Sequence, residues 1–594
     1  MKGVTAASDR PAIAFPEGRQ FAVTWGLTTQ YGGMTAAMLR RSRAFAQLAG
    51  RPVEVLTFDA RDDYDEIIAT LTADGRLGDG VEVRNLWDDL ERRTGSLPEL
   101  RGGKRKALDA FDPLAGGEGR TRRRFSDTGE LLQTDRFRPN GTVAVSDRRD
   151  VAQRGTVGGR SIVLCDAAGE PVVGFTRARP FYHAWLDLLT GDDDAFFIVD
   201  SKTSAPTLAG YGNPRATRVH LVHNSHLATD ARPWGAVKPS RREAVASAAD
   251  FESVVLLSDR QRDDVDSLIR LGERLDVVPN ATALPSRTPA LDRDPRAGVS
   301  IAGLEARKRV DHALLAVGRA RSAGADVRLD VYGDGPERSA LDALVAEHAL
   351  GDAVVLHGFE RGAVEHFADA SFFTLTSTSE GFPLVLAEGM SRGSIPISYD
   401  MPYGPADIID DGVNGVLIPL GDFESLADAL ARIASTPAAE LEPMRVAAME
   451  TAARFTDQAV TRRWADVLTR AAARRPRGRA VTIAPRGGTA SRGRDGLTVS
   501  ADFRLSGVDT EPGALDAAIA VHGTPLSVEL RRPATVRRTL RHGVWRAKAV
   551  FEPAAVDWIP SGTDFTVDLE LRVGGRLVRE RIAVGSEGTG SFGR

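Results

Sequence analysis

The stretch Ser371–Leu420 constrains the fold of this chain more than any other. Its first residues, Ser371–Ser377, are apolar or β-branched and predict a buried strand. Pro383 suits the first turn of a helix, and Ile395–Tyr399 predicts a second buried strand. Strand, helix and strand in this length form a parallel βαβ unit with a right-handed crossover. The loop before the helix therefore lies where open α/β sheets bind ligands and where free N–H groups attract phosphate.

Two glutamates mark this unit. Glu380 lies in the loop and Glu388 lies inside the predicted helix. From spacing alone, a solvent-facing charge is as good an interpretation of Glu388 as a functional one. The surrounding residues carry more information, because they form a long pattern: EGFPL at 380–384, EGM at 388–390, GSIPIS at 393–398 and YDMPYGPADIIDDGVNG at 399–415.

This pattern resembles the donor-site signature of retaining nucleotide-sugar glycosyltransferases of family four, which have the GT-B fold. It is most similar to bacterial poly(glycerol/ribitol-phosphate) α-glycosyltransferases of wall teichoic acid. The resemblance implies that Glu380 holds the donor sugar and that Glu388 binds the ribose of the nucleotide. It also implies further donor contacts from the loop and the helix start, at Gly381, Phe382, Pro383 and Leu384.

A second signature of the family combines an arginine with a lysine that neutralise the diphosphate leaving group. Lys308 occupies the lysine position, and only seven of the 77 basic residues are lysine. Gly303 replaces the arginine. Either Arg307 or Arg309 supplies the missing charge, or activity is weak or absent, because one lost cation costs several kcal/mol of transition-state stabilisation.

A glycine turn follows the first predicted strand. Gly32 and Gly33 precede a helix that Thr35 can cap, so backbone N–H groups there can face an anion. An ordinary strand-to-helix turn is an equally good interpretation of these residues alone. The resemblance places this loop near the donor phosphates and the acceptor.

The resemblance also assigns roles to two glycines and to histidines in both α/β domains. Gly333 and Gly335 lie under the nucleotide, and His357 lies near the base. His223 touches the donor sugar and stabilises charge at the reacting carbon, with His226 as the second choice. A lone histidine is more often structural, but the carboxyl end of a strand favours a site.

Residues 101–179 read as short β runs with Pro-Asn-Gly and Ala-Gly turns, which predicts a β-rich insertion. The insertion carries two basic clusters: Arg101, Lys104, Arg105 and Lys106, then Arg120, Arg122, Arg123 and Arg124. We expect Arg122, Arg123 and Arg124 to bind an anionic acceptor, with a solvated strand face as the alternative. In the resembling enzymes such an insertion extends the acceptor groove and can mediate oligomers.

The patterns divide the chain into seven segments. They are a flexible leader (1–18), an N-terminal Rossmann-like acceptor domain (19–100 and 180–290), the β insertion (101–179), a Rossmann-like nucleotide-sugar domain (291–455), a crossover helix (456–475), an Arg-rich linker (476–496) and a C-terminal β-sandwich-like domain (497–594). The linker is interpreted as a solvated tether or as a contact for anionic lipid or polymer. The predicted fold class is α/β, with two Rossmann-like domains in the GT-B arrangement.

Composition limits the expected partners, the redox compartment and the need for a metal ion. The 594 residues carry a net charge of −4, which gives no case for nucleic acid. The single cysteine, Cys165, allows no intrachain disulfide and is consistent with a reducing compartment. The first 18 residues lack the apolar core of a signal peptide, and no apolar run reaches the length of a membrane span, so we expect a cytoplasmic protein. No cluster has metal-ligand spacing, so we expect no metal and no cofactor.

We therefore expect retaining transfer of a hexose, from UDP-glucose or UDP-GlcNAc, to a polyol-phosphate polymer such as wall teichoic acid. The expected partners are the nucleotide sugar and this polymer, with peripheral contact to the inner membrane face and a homo-oligomer through the insertion as further expectations. One alternative is a polymer-binding module that has lost turnover, as Gly303 suggests. Another is the same fold acting on an exopolysaccharide or a lipid.

Overall fold

The computed structural model of the chain describes residues 13–93, 97, 100–115, 119–228, 236–285, 289–476, 481–507, 515–524, 528–560 and 564–585. These residues form two parallel sheets, two antiparallel sheets and one mixed sheet, in which a short last strand pairs in parallel. No helix in these ranges is both long and apolar enough to cross a membrane.

Strands and helices are numbered in chain order. The first α/β domain begins with β1 (Arg19–Val23), α1 (Gly33–Ala49), β2 (Val53–Thr57), α2 (Tyr64–Ala73), β3 (Val81–Asn85) and α3 (Leu86–Arg92). The insertion contributes α4 (Arg105–Asp109), β4 (Thr121–Phe125), β5 (Leu131–Phe137), β6 (Val143–Arg148), β7 (Ser161–Cys165) and β8 (Pro171–Phe175). The chain then returns to the first domain with α5 (Ala178–Thr190), β9 (Ala195–Val199), α6 (Ala205–Ala209), β10 (Ala216–Leu221), α7 (Arg242–Ala246), β11 (Ser253–Leu256), α8 (Asp259–Ile269) and β12 (Leu275–Val277).

The first domain is built on a seven-stranded parallel sheet in the order β12-β11-β10-β9-β1-β2-β3. Its central strands are buried on both faces, which explains continuous apolar runs such as AFFIV in β9. β1 pairs with β9, and β9 pairs with β10. The loops that follow these three strands therefore lie side by side at one edge of the sheet.

The insertion forms its own five-stranded antiparallel sheet, β4-β5-β6-β7-β8. Buried ion pairs join it to α3: Arg136 binds Asp88 at 2.8 Å, and Arg120 binds Asp88 at 2.8 Å and Glu91 at 2.9 Å. Charges are tolerated in a protein interior only when they are paired in this way. The insertion is thus fixed to the first domain by two of its own arginines.

The second α/β domain contains β13 (Ala297–Ile301), α9 (Val310–Ser322), β14 (Arg328–Tyr332), α10 (Arg338–Glu347), β15 (Val354–Gly358), β16 (Phe372–Leu375), α11 (Leu384–Ser391), β17 (Ile395–Asp400), α12 (Pro405–Ile408), β18 (Val416–Pro419), α13 (Phe423–Ser435) and α14 (Ala438–Ala452). Its six-stranded parallel sheet has the order β15-β14-β13-β16-β17-β18. Pro383 is the N-cap residue of α11, which begins at Leu384. It therefore lies one residue before the first helical turn, where the sequence predicts it.

The next helix, α15 (Asp457–Ala473), returns to the first domain. The Oγ1 atom of Thr456 accepts a hydrogen bond from the N–H of Ala459 and caps the helix. Arg40 of α1 binds Asp457 at 2.7 Å, and the rings of Phe45 and Trp464 are in edge contact. This helix therefore joins the two α/β domains.

Two stacked sheets follow. Their elements are β19 (Thr482–Gly493), β20 (Gly496–Ser506), β21 (Asp516–Thr524), β22 (Val528–Pro533), β23 (Thr535–Arg538), β24 (Trp545–Phe551), α16 (Pro553–Val556), β25 (Asp564–Val573), β26 (Arg576–Ile582) and β27 (Val584–Gly585). The sheet orders are β23-β24-β20-β19-β27 and β22-β21-β25-β26. Apolar residues of both sheets, such as Phe503, Ile519 and Leu569, are buried together, as in a β-sandwich.

The predicted Arg-rich linker is wrong over residues 482–493, which form β19. This strand pairs with β20 from Thr482↔Ser506 to Gly493↔Gly496. The strand was not recognised from the sequence, because only one of its faces carries apolar residues and Gly487–Gly488 interrupt the alternation of polar and apolar residues.

The predicted flexible leader is also wrong for its last residues, since the ring of Phe15 packs on the ring of Phe45, with the ring centroids 4.7 Å apart. Residues 1–12 and 477–480 lie outside the described residues.

Arginines dock the C-terminal sheets onto the first domain. Arg531 and Arg532 donate hydrogen bonds to the carbonyls of Arg270, at 2.9 Å, and Leu268, at 2.8 Å. Both carbonyls lie at the end of α8, where the helix dipole favours cations. In addition, Arg242 binds Glu529 at 2.7 Å. The C-terminal domain is therefore held at the ends of first-domain helices.

Candidate active site

Glu380 is the centre of a charged cluster at the carboxyl edge of the second sheet. The Nζ atom of Lys308 donates a hydrogen bond to its Oε1 atom at 2.7 Å, and Nη1 of Arg307 donates to the same oxygen at 3.0 Å. Burial opposes the charged form of Glu380, but the two cations outweigh burial and lower its pKa. Two cations around one carboxylate leave an excess of positive charge at this edge.

Strand adjacency explains why distant residues meet here. β13 and β16 are neighbours in the sheet, so the loops that follow them lie together. Thr376 donates its hydroxyl to the carbonyl of Lys308 at 2.9 Å, and the N–H of Thr378 donates to the carbonyl of Arg307, also at 2.9 Å. These bonds fix the turn that carries both cations against the Glu380 loop.

The structure distinguishes between the two arginines that were expected to replace the arginine missing at Gly303. Arg307 reaches Glu380, whereas Arg309 binds Asp311 at 3.0 Å and contacts His312. Arg309 has a left-handed backbone that turns it towards its own helix. Arg307 therefore places a second cation at Glu380, whereas the charge of Arg309 is directed to Asp311. The role of either arginine towards a diphosphate stays a prediction.

His223 belongs to a buried chain of polar groups in the first domain. Its Nε2 atom donates to Oδ1 of Asp200 at 2.8 Å, and Asp200 binds the guanidinium of Arg41 through both oxygens, at 2.9 and 2.7 Å. Burial opposes ionisation of Asp200, but Arg41 and His223 lower its pKa. Arg41 in turn lies over the ring of Trp464, 5.1 Å from its centroid. These contacts set the orientation of the His223 imidazole.

Asp200 and Arg41 were not identified from the sequence. Asp200 directly follows β9, so the rule that chemistry collects after parallel strands could have found it. Arg41 carries no such signal, because it lies in the middle of α1. His226, the second choice for the catalytic histidine, stacks on Tyr403 with their centroids 5.9 Å apart.

The two α/β domains touch directly at the donor loop. A Cβ atom at Gly381 would overlap the carbonyl oxygen of His223 and would crowd Asn224. Only glycine allows this approach, so the loop that carries Glu380 passes against the loop that carries His223. The two predicted catalytic side chains are thereby brought to the same cleft.

We expect Gly381→Ala to lower kcat/KM about a hundredfold, because the added methyl group would push the two loops apart by a fraction of an ångström or more. The measurement is the initial rate of sugar transfer. Gly351→Ala is the matched control, since a Cβ there meets nothing within 4 Å. Wild-type activity of Gly381→Ala would show that this contact does not position the site.

Glu388 lies half-buried in α11, and in the described part of the chain no cation lies within 4 Å of its carboxylate. Burial raises its pKa, against the weaker opposing effects of Arg392 and Arg40. A carboxylate without a close cationic partner can accept hydrogen bonds from the hydroxyl groups of a ligand. Its predicted contact with a ribose stays a prediction.

The predicted donor glycines have different surroundings. Gly32 caps α1 and Gly33 begins it, both exposed, with nothing within 4 Å of an added Cβ, so the helix starts two residues before the predicted Thr35 cap. Cβ atoms at Gly333 and Gly335 would overlap the carbonyls of Ala302 and Leu304. Gly333 and Gly335 therefore support the segment that leads to Arg307 and Lys308.

The other predicted donor residues surround the same edge. His357 binds Asp330 at 2.6 Å and stacks on Tyr332 with their centroids 4.5 Å apart. Phe382 packs on Phe455, 5.3 Å away, and Leu384 begins α11. Donor contacts of these residues stay predictions.

The predicted acceptor arginines are engaged within the protein. Arg124 binds Asp150 at 2.9 Å, Arg123 binds Asp62 at 3.3 Å, and Arg122 lies over the ring of Phe137. The pairing with Asp150 raises the pKa of Arg124. These contacts give all three residues a structural role, and acceptor binding by them stays a prediction.

No group of three His, Cys, Asp or Glu residues that could hold a metal ion occurs among the described residues. Cys165 is buried, and burial raises the pKa of its thiol to about 12, which disfavours a nucleophilic thiolate. Lys308 and Arg307 provide positive charge at Glu380. The expectation that the reaction needs no metal ion stays a prediction.

Residues 286–454 match the family model of Glycosyl transferases group 1. The chain is 32% identical over 307 residues to an exopolysaccharide phosphotransferase of Streptomyces coelicolor, a match that covers 50% of this chain and 32% of that relative. It is 20% identical to the poly(ribitol-phosphate) alpha-N-acetylglucosaminyltransferase of Staphylococcus aureus, over 75% of this chain and 99% of the relative.

Among solved structures, a crystal structure of a mutant of S. aureus TarM with fondaparinux, alpha-GlcNAc-glycerol and UDP superposes with a TM-score of 0.56 at 19% identity. It covers 76% of this chain and all of that one. The two Rossmann-like domains of this chain, each built on a parallel sheet, agree with this fold. The chain therefore contains a glycosyl transferase group 1 domain and has the GT-B fold.

Proposed function

We propose that this protein is a retaining hexosyltransferase that transfers a sugar from a nucleotide sugar to a polyol-phosphate polymer of the wall teichoic acid type. The observation that carries the proposal is the cluster of Glu380, Lys308 and Arg307, which faces His223 across the domain contact. It combines a carboxylate for sugar hydroxyls with cations for a departing diphosphate.

Each residue of the cluster has a part in the reaction. Lys308 and Arg307 stabilise the negative charge that develops on the leaving diphosphate, together with the free N–H groups at the start of α11. Glu380 accepts hydrogen bonds from the transferred sugar. His223, held by Asp200, lies where positive charge develops at the reacting carbon. The acceptor hydroxyl passes its proton to the leaving phosphate on the same face of the sugar.

The names of the relatives support the choice of substrates. The S. aureus relative is named as a poly(ribitol-phosphate) transferase, and the TarM complex contains UDP and a GlcNAc-glycerol. A UDP-sugar donor and a polyol-phosphate acceptor are therefore the first substrates to test. Action in the cytoplasm, contact with the inner membrane face and self-association through the insertion belong to the same proposal.

Two other functions are alternatives to this proposal. Loss of turnover was suggested by Gly303, but Arg307 now provides a cation at Glu380. Action on an exopolysaccharide has one observation in its favour, the match to the Streptomyces relative, which is named as an exopolysaccharide phosphotransferase and is covered over 32% of its length.

The proposal is tested by incubating the protein with UDP-glucose or UDP-GlcNAc and a glycerol- or ribitol-phosphate oligomer, with mass detection of products. We expect addition of one hexose with retention at the anomeric carbon, and no loss of rate with EDTA. Absence of both donor hydrolysis and transfer would contradict the proposal. Loss with EDTA and recovery with a divalent ion would contradict its metal-free part.

We expect Glu388→Gln to raise the donor KM about tenfold with little change in kcat, because a charged acceptor of ribose hydroxyls binds ground and transition states alike. The pKa of Glu388 is raised by burial, so its charged form is lost at a higher pH than for a free glutamate. The donor KM of the wild type should therefore rise as pH falls from neutral towards that pKa, and the variant should show no such rise.

The raised pKa of Glu388 also predicts an effect on stability: the substitution that weakens donor binding should not destabilise the protein at neutral pH. A raised carboxyl pKa favours the folded state below the ordinary pKa and disfavours it as pH rises through the folded pKa. At neutral pH, Glu388→Gln should therefore unfold at the same or a higher temperature than the wild type. A lower melting temperature would indicate a structural role for the carboxylate.

A further inference from the structure

Three half-buried cations lie in the loops around His223 and His226: Lys202, Lys238 and Arg241. Within the part of the chain that the structure describes, none of them forms an ion pair or a side-chain hydrogen bond. The arginines of the insertion behave differently, since Arg123 and Arg124 both bind carboxylates. The charges of Arg123 and Arg124 are thus compensated, whereas those of Lys202, Lys238 and Arg241 are not compensated by any described acid.

Backbone connections fix where these cations lie. Lys202 follows Asp200 by two residues, in the loop after β9. The N–H of Lys238 donates to the carbonyl of His226 at 2.8 Å, and the N–H of Arg241 donates to the carbonyl of Lys238 at 2.7 Å. The two loops therefore flank His223 at the carboxyl edge of the first sheet.

The cations act on one another across the cleft. Burial lowers the pKa of Lys238, and the charges of Arg241, Arg307 and Lys202 lower it further. No carboxylate contributes to the pKa shift of Lys238, although Arg307 comes from the opposite domain. A folded protein that keeps such repulsion gives up stability, which is expected where a bound anion supplies the missing charge.

The anion has two possible sources, the donor and the acceptor. The donor diphosphate already has Lys308, Arg307 and the start of α11, all in the second domain. Lys202, Lys238 and Arg241 all come from loops of the first domain. Since the second domain already provides cations for the donor diphosphate, we assign a phosphate held by the first domain to the acceptor.

We propose that Lys202, Lys238 and Arg241 form a second anion site, which holds a phosphodiester of the acceptor polymer beside the hydroxyl that receives the sugar. This inference rests on the proposed function and names the substrate class of the same cleft. A neutral polysaccharide has no group for this site, whereas a polyol phosphate presents one phosphate per repeat. The site therefore selects a polyanion close to the reacting hydroxyl rather than along the insertion.

The kinetic test compares Lys238→Gln and Lys202→Gln with the wild type on two acceptors, a glycerol-phosphate oligomer and free glycerol. Each variant should raise the KM for the oligomer at least tenfold, since hydrogen bonds to charged groups are lost. The KM for glycerol, the donor KM and the rate of donor hydrolysis should change less than about twofold. Lys548→Gln is the matched control, because Lys548 is exposed on the C-terminal sheet and has the same charge.

Salt dependence provides a second readout. Each cation that contacts a phosphate contributes about one unit to the slope of log affinity against log salt concentration. The double variant Lys202→Gln/Lys238→Gln should flatten that slope for the oligomer, and Lys548→Gln should not. Since the cations repel one another, the variants should melt no lower than the wild type, which separates loss of binding from loss of folding.

The outcomes are distinct. An increased donor KM with an unchanged oligomer KM would assign the anion to the donor and overturn the proposal, and so would unchanged kinetics with both substrates. Calorimetric titration of the oligomer into the full chain with UDP present decides the question even if no turnover is found. Oligomer binding that depends on Lys202 and Lys238 would then support the inference while the proposed function fails.

Discussion

Lys308→Ala should lower kcat between about a hundredfold and a thousandfold, the range for removal of one charge-stabilising donor from a leaving group. Lys308 lies 2.7 Å from Glu380 and is the cation nearest to it. The donor KM should change much less than kcat, because the charge on the diphosphate grows towards the transition state. The measurement is the initial rate at saturating donor and acceptor.

Arg307 and Arg309 form a matched pair for the same test. Arg307→Ala should also reduce kcat strongly, whereas Arg309→Ala should reduce it less than about threefold, because its charge is used by Asp311. Gly303→Arg should restore activity to Arg307→Ala, since an added Cβ at Gly303 has only Glu305 at 4.0 Å. Equal losses for the two alanine variants would contradict the assignment of Arg307.

The βαβ unit around Glu380 was predictable because local sequence determines it. Apolar, β-branched runs define β16 and β17, and Pro383 restricts the start of α11. The contact between Glu380 and Arg307 was not predictable in the same way, because 73 residues separate them in the chain. It depends on the order of strands in the sheet, which puts β13 beside β16.

Charge patterns were the least reliable guide. The arginines of β4 looked like a free basic cluster, but Asp62 and Asp150, from elsewhere in the chain, compensate Arg123 and Arg124. Lys202 and Lys238 stand apart in the sequence and gave no pattern, yet the fold brings both into the loops around His223 and His226. Whether a basic residue is free depends on which acids the fold brings to it.

Asp200→Ala should destabilise the protein by about 3–5 kcal/mol, because it leaves the buried charge of Arg41 without its partner. Asp200 and Arg41 are 2% and 7% exposed, so water cannot replace the lost carboxylate. The double variant Arg41→Gln/Asp200→Asn removes both charges and should recover much of the loss. Urea denaturation at neutral pH measures these differences, and an unchanged midpoint for Asp200→Ala would contradict them.

The dependence on pH follows from the lowered pKa of Asp200. A carboxyl group with a lowered folded pKa contributes stability above its unfolded pKa, near about 3.9, and loses it as pH falls through the folded value. The stability difference between wild type and Asp200→Asn should therefore be constant at neutral pH and shrink below about pH 4.

The double variant Arg41→Gln/Asp200→Asn should regain stability but not activity, because Asp200 also holds His223. Arg41→Gln/Asp200→Asn restores neutral packing, but an amide cannot hold the imidazole of His223 as firmly as a carboxylate does. A positioned histidine is worth about a hundredfold or more in rate. A stable double variant with kcat reduced to that extent would show that Asp200 orients His223 for the reaction, and one with full activity would leave Asp200 a purely structural group.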